Sequence, residues 1–425
     1  MPRMIRTSVI TVLVLLFAQP AETPRDELTR LRAEAHESRA AGDHSGYLQA
    51  ALRLRHLLNS NPSAIESVAR AYAEAGRTDE ALEALADFAN LGQVDDGLLD
   101  GSNKTFTSLA HSPQYKSILR RFVLNKAPVS RATIAFALSD PGLVAEDIDY
   151  DPESRSFLIT SVLEKKVIRV SQTGAAVDFA QSPSGWPMLA LKIDSVRRVV
   201  WGTEVAMDGF NAVPQPDWGR SAVLCFDLKG KLLFRVEGPH GSALGDMSLA
   251  KDGDLLISDG RGGGVYRLHD RRLNLVNGTY FISPQTPAPM PDGKHFLVPD
   301  YLRGVAILDL QSGNVQWMAQ DVSPGTALNG VDGLYLRGRF LLATQNGTTP
   351  ERVIAMRLDR SLAKVLSGAV VESGTPTLGD PTHGVFVGPD FYYIANSGWS
   401  ELDDHGGVKP GSSLTSARIM RFEAK

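Results

Sequence analysis

The chain has 425 residues, 43% of them hydrophobic and 22% charged, and a net charge of −4 at pH 7. No basic excess draws it to nucleic acid or to an anionic membrane surface. Its one cysteine, Cys225, excludes an internal disulfide and any cysteine-rich metal site. A core of this length must hold the fold without staples.

The first 21 residues read as a secretory signal peptide. "MPRMIRTSVITVLVLLFAQPAETP" sets Arg3 and Arg6 before an apolar run from Val9 to Phe17, followed by small and polar residues. The run is too short to span a bilayer comfortably. Export to the periplasm or the medium is expected, with no further membrane segment. Gln19 stands where cleavage after Ala21 prefers a small residue, so an uncleaved anchor stays open.

Residues 25–125 carry a helical pattern. "AGDHSGYLQAALRLRHLLNSNP" and "AGRTDEALEALADFANLGQVDD" place Gly42 and Gly76 34 residues apart, the tetratricopeptide period. "PSAIESVARAYAEAGR" lies between them, with Pro62 at a helix start. "FTSLAHSPQYKSILRRF" resembles the helix that closes such arrays. So few repeats rarely bury their faces alone, so the helices are expected to dock on the second domain. A groove for a protein partner is the functional alternative.

From 128 to 425 the helical period gives way to short β-branched and aromatic runs between Gly-rich turns. "SLAKDGDLLISDGRGGGVYRL" suggests at first a calcium loop or a phosphate cradle. Its form recurs in "SFLITSVLEKKVIRV", "HFLVPDYLRGVAILDL", "RFLLATQNGTTPERVIAMRLD" and others, without those carboxylates or glycines. First strands begin near 146, 186, 246, 285, 332 and 383, in steps of 40, 60, 39, 47 and 51. Such periods, with several strands each, predict a mainly β protein: a six-bladed β-propeller behind a small all-α region. Asp252-Gly253 is then a hairpin turn and not a ligand loop. Residues from about Pro128 to Leu138 are expected to supply the outer strand of blade six. The insertion "EVAMDGFNAVPQPDWGR" lengthens blade two; its Phe210 and Trp218 suit a lid or pack on their own blade.

The strand starts nominate one channel mouth: Glu146, Trp186, Asp246, Gln285, Asp332 and His383. Three converging carboxylates would raise at least one pKa unless a cation joined them. The bland alternative has these acids capping strand ends. His383 is either a proton carrier or a histidine bonded to a neighbouring blade. "SELDDHGG", Glu401 to Gly407, is a metal loop or, more simply, a solvated turn. Asn103, Asn277 and Asn346 begin Asn-x-Thr sequons. No GxSxG elbow and no histidine-pair zinc motif is present.

The phrases "AEDIDYDPESRSFLITSVLEKKVIRV", "PMPDGKHFLVPDYLRGVAILDL" and "NGVDGLYLRGRFLLA" resemble the senescence-marker/gluconolactonase family, also called regucalcin-like, and more distantly paraoxonase and strictosidine-synthase propellers. The likeness runs from about Ala145 to the C-terminus and leaves the helices outside. It implies a divalent cation, calcium, at one mouth of the channel and hydrolysis of a small-molecule lactone or ester. By this resemblance Glu146, Gln285 and Asp332 hold the cation. Asp332 or His383 activates water, and Asp246 and Trp186 face the substrate. Gln285 stands where the family has an asparagine, and Gly245-Asp246 where it has a substrate-contacting one. The rival class is a non-catalytic propeller that binds a small ligand or serves as a scaffold.

Overall fold

A computed structural model describes residues 22–278, 280–319 and 327–424. The signal-peptide expectation therefore lies outside the described residues. Among those described, no helix is long and apolar enough to cross a membrane.

Two helix pairs open the chain: α1 (Pro24–Ala40) with α2 (His44–Leu57), and α3 (Pro62–Glu74) with α4 (Thr78–Asn90). Side chains of Thr23, Asp43 and Asn61 cap three of their N-termini. The turns at Gly42 and Gly76 both take φ +72°, which a glycine adopts without strain. Ala50, Ala51, Ala64, Ala69, Ala81 and Ala84 are buried, so facing helices approach closely. A short α5 (Asp96–Leu99) leads to α6 (Pro113–Lys126), which packs on α4 through Phe122 and Phe88.

Six antiparallel sheets make up the rest of the chain. Their innermost strands start at Ala145, Met188, Leu244, Ala288, Val331 and Gly384, each within three residues of its expected place. The outermost strand of blade six is Thr133–Ala137, paired with Arg418–Glu423, so the ring closes as expected. Val129–Ser130, just before it, adds a fifth strand to blade five. Asp252-Gly253 joins the first two strands of blade three, as its sequence suggests.

At four of the six junctions one hydroxyl joins the blades, and it stands at or near the end of a second strand. The first strand carries a β-bulge in blade one (between Ala145 and Ile148), blade two (Met188 and Leu191) and blade five (Val331 and Leu334). Each bulge frees a backbone N–H that the hydroxyl accepts: Asp147 N to Thr160, 2.9 Å; Ala190 N to Thr203, 3.0 Å; Gly333 N to Thr344, 2.8 Å. The same hydroxyl donates to the next blade's first strand. Thr160 reaches Leu189 O (2.6 Å), Thr203 reaches Gly245 O (3.3 Å) and Thr344 reaches Thr382 O. Ser258 does so for Gln285 O at 2.7 Å. Hydroxyls suit this work because they donate and accept at once.

The residue after each hydroxyl is also polar and buried. Asp259 accepts from the N–H groups of Ala243 (2.8 Å), Arg261 (3.1 Å) and Gly262 (2.7 Å). At the matching place in blade four Asp300 accepts four backbone N–H groups; Gln345 Nε2 donates to Asn329 O (2.7 Å), and in blade six Asn396 Oδ1 accepts from Arg418 N (2.8 Å).

The helices dock on loops at this same end of blades three to five. Asn61 Nδ2 donates to Leu302 O (2.9 Å), Arg303 Nε to Leu57 O (3.0 Å) and Val94 N to Thr349 O (2.8 Å). Arg352, 2% exposed, donates to Gln345 Oε1 (2.8 Å) and to Leu91 O of the helical region (3.2 Å). Ile282 and Ala327 of the propeller join the helical core.

An acid and histidine centre at the channel mouth

Bulges re-aim side chains. Glu146 and Asp332 occupy corresponding bulge positions in blades one and five, and both turn to a common point with His383 of blade six. One ligand atom from each of the three lies within 4.8 Å of the others. Asp246 of blade three joins them through His383, whose Nε2 is 2.7 Å from Asp246 Oδ1. The expected convergence of Glu146, Asp246, Asp332 and His383 is what the structure shows.

Both nitrogens of His383 face acceptors. Nδ1 is 2.9 Å from the carbonyl oxygen of Glu146. Nε2 faces Asp246 and, at 2.7 Å, Thr286 Oγ1, and that hydroxyl donates onward to Asp246 Oδ1 at 3.1 Å. A carbonyl oxygen on one side and a carboxylate on the other favour a proton at both ring positions, the imidazolium form. Burial opposes that charge, but Asp147, Asp246 and Asp332 outweigh it and push the pKa of His383 well above its ordinary value. The acids move the same way. Burial, then the nearby Asp332, raises Glu146 well above the carboxylate range. Burial carries Asp332 up to about 7, with Asp246 and Asp380 adding to it and His383 opposing.

Each of these two acids has one side-chain donor. Trp399 Nε1 donates to Glu146 Oε2 at 2.5 Å, and Asn346 Nδ2 to Asp332 Oδ2 at 2.9 Å. Asn346 Oδ1 is buried with no hydrogen-bond partner among the described residues. The two carboxylates are hard oxygen donors, which fit a divalent cation such as calcium, and the orphaned amide oxygen belongs to the side chain bonded to one of them. His383 does not complete that set, since both its nitrogens are engaged. It supplies charge compensation from beside it.

Two nominated residues lie apart from the centre. Trp186, 2% exposed, donates to Asp217 Oδ2 (3.1 Å) and is flanked by Arg220 and Arg235 with guanidinium carbons 5.2 and 5.1 Å from its ring. It is a packing residue of blade two and its insertion. The Gln285 side chain turns back to Ser283 Oγ (3.1 Å), and its neighbour Thr286 makes blade four's contact with the centre. A one-residue change of register at the strand start separates the two, and alternation cannot reveal it.

Asp147, Thr286, Asn346 and Trp399 belong to the centre, and the strand-start pattern does not nominate them. Asp147 sits beside Glu146 in the same bulge and accepts from Lys192 Nζ at 2.7 Å. Asn346 stands out in the sequence only as a sequon; its amide nitrogen is committed to Asp332. In "SELDDHGG", Asp403 accepts the N–H groups of His405 (2.8 Å) and Gly407 (2.9 Å), a self-capped turn apart from the centre.

A roof covers the mouth beside blades one, two and six. Phe210 of the insertion packs on Trp399 with ring centroids 5.7 Å apart, and Asn211 N donates to His405 O at 2.8 Å. Trp218 stays on its own blade and donates to Val213 O at 3.0 Å. Of the two aromatics expected in a lid, Phe210 is in it.

No protein-family model matches the chain, and no curated protein matches it. Solved structures share the propeller. A Xanthomonas campestris gluconolactonase is 14% identical, with 69% of this chain and 90% of that one covered at a TM-score of 0.46. A calcium-binding regucalcin from Agrobacterium tumefaciens is 14% identical over 70% and 95%, at 0.45. A glucose-dehydrogenase-type oxidoreductase from Thermus thermophilus is 18% identical over 68% and 99%, at 0.48. These likenesses are of architecture, and the chemistry open to the centre is set by its own side chains.

Proposed function

We propose that this protein is a lactone or ester hydrolase assisted by a hard divalent cation, calcium by the chemistry of the donor set. The observation that carries this reading is the convergence of Glu146, Asp332 and His383 within 4.8 Å at the mouth of the channel. Glu146, Asp332 and Asn346 would hold the cation, which when bound polarises a carbonyl oxygen. Asp332, which a bound cation would hold ionised, takes a proton from water. The imidazolium of His383, fixed by Asp246 and Thr286, places positive charge where an oxyanion develops. Trp399 and Phe210 keep bulk water out on one side.

The test is hydrolysis of a panel of γ- and δ-lactones and simple esters, with calcium, by wild type and Asp332→Asn. Turnover lost in the variant supports the proposal; none in wild type overturns it. One observation favours the rival, a non-catalytic binder: Trp399 is already closed on Glu146, as a permanent cover would be. Residues 1–21 support export, and the mass of the mature chain in fractionated cells checks it.

A further inference from the structure

A second cavity, of about 470 Å³, lies between the helical region and blades four and five. Asn61, Ser63 and Glu66 line it from the helices, and Tyr301, Gly347 and Thr349 from the propeller. It adjoins the centre. Gly347 follows Asn346, which holds Asp332, and a Cβ at Gly347 would lie 2.6 Å from Tyr301 Cζ, so the ring rests on that backbone. Asp332, Asp380 and Glu351 all act on the Tyr301 hydroxyl electrostatically. That hydroxyl makes no hydrogen bond to another described residue. The roof of Phe210 and Trp399 lies on the side of blades one, two and six, and the cavity on that of blades four and five.

The lining states what it admits. No Lys, Arg or His lines it, and every charged residue in it is acidic. Those acids are engaged internally: Glu66 with Arg70 at 2.8 Å, Asp96 with Lys126 at 2.6 Å, and Asp95 with Asn103 at 2.8 Å. The side-chain amides of Asn61, Gln93 and Asn103 are engaged too, and the hydroxyls of Tyr301, Ser63 and Thr349 remain to meet a ligand. An anion entering would lose hydration beside acids with nothing to repay it.

We infer that the helical region forms one wall of a substrate subsite, in which Tyr301 and Ser63 flank an uncharged polar arm of the molecule whose ester bond lies at the centre. This rests on the proposed hydrolysis and adds to it a role for the helices and a charge rule. An arm bearing hydroxyls or amides enters; one bearing a carboxylate is refused.

The probes are γ-butyrolactone, the same ring with a 1,2-dihydroxyethyl arm, and the same ring with a carboxylate arm. Wild type is expected to favour the dihydroxyethyl over the carboxylate compound at least about tenfold in kcat/KM. Ser63→Trp, which fills the cavity from the helical side, should cut the preference for dihydroxyethyl over bare ring about tenfold. Tyr301→Phe should cut it about fivefold, the value of one hydrogen bond. Unchanged preferences in both variants, or a wild type that favours the carboxylate, would overturn the subsite. If Ser63→Trp fails to fold, Tyr301→Phe decides alone. If wild type turns over no lactone, the hydrolysis fails, and calorimetry with the dihydroxyethyl lactone decides the subsite. Binding weakened about fivefold or more by Tyr301→Phe sustains it; no binding, or equal binding, removes it.

Discussion

Two sets of buried acids stand within one ring of this propeller. At the ends of second strands, Asp259 and Asp300 accept three and four backbone N–H groups. At the starts of first strands, Glu146 and Asp332 have one side-chain donor each. Burial is common to both sets, so burial does not single out a functional acid. What differs is whether the surrounding backbone has already met the carboxylate's demand. The strand-end acids are spent on loops. Burial raises the pKa of Asp300 as it does those of Glu146 and Asp332, but the axial acids, which also raise one another, keep oxygen atoms for a cation or a proton.

Four measurements break or sharpen that contrast. The largest effect belongs to catalysis. Asp332→Asn should lower kcat about 100-fold or more, the contribution of a positioned base, while Asp259→Asn keeps whatever activity its folded fraction retains. Equal losses in rate per folded molecule would erase the distinction. Next is stability: Asp259→Ala removes the acceptor of three backbone N–H groups, two of them on exposed residues, and should cost about 1–2 kcal/mol by urea unfolding, whereas Asp332→Asn should cost nothing at pH 8.

The pH dependence gives the third. The carboxyl of Asp332 titrates at about 7 in the folded chain and near 3.9 unfolded. Between those values the folded state binds more protons, so this group's contribution to stability declines as pH rises from about 4 to about 7. Asp332→Asn removes the decline, and its melting temperature should overtake wild type as pH rises. Added calcium at pH 8 should close the gap by stabilising wild type; a gap indifferent to calcium would count against the cation. With calcium bound, Asp332 ionises more readily, so turnover should rise at a pH below the value of about 7 at which the metal-free carboxyl titrates. The smallest effect is Trp186→Phe, which loses one hydrogen bond to Asp217: about 1 kcal/mol of stability and no change in kcat.

The blades were legible because the repeat is long and its turns are glycine-marked. Glu146, Asp332 and His383 were legible because strand starts in a propeller share an axis. Thr286 was not, because a bulge or a one-residue register change swaps neighbours without altering composition. Nor was Trp399, which reaches Glu146 from a loop 253 residues away in sequence. The run "LITS", "GTE", "LISD", "ATQ" was visible, yet nothing in one sequence says that its hydroxyl joins two blades and its last residue braces a loop.

Those hydroxyls bear on how the molecule tolerates change. Thr160, Thr203, Ser258 and Thr344 set the angle between neighbouring modules from inside the wheel. Cover loops can lengthen, shrink or be exchanged while the hub keeps its geometry. Specificity and chemistry are thereby free to drift separately, one at the rim and one at the axle.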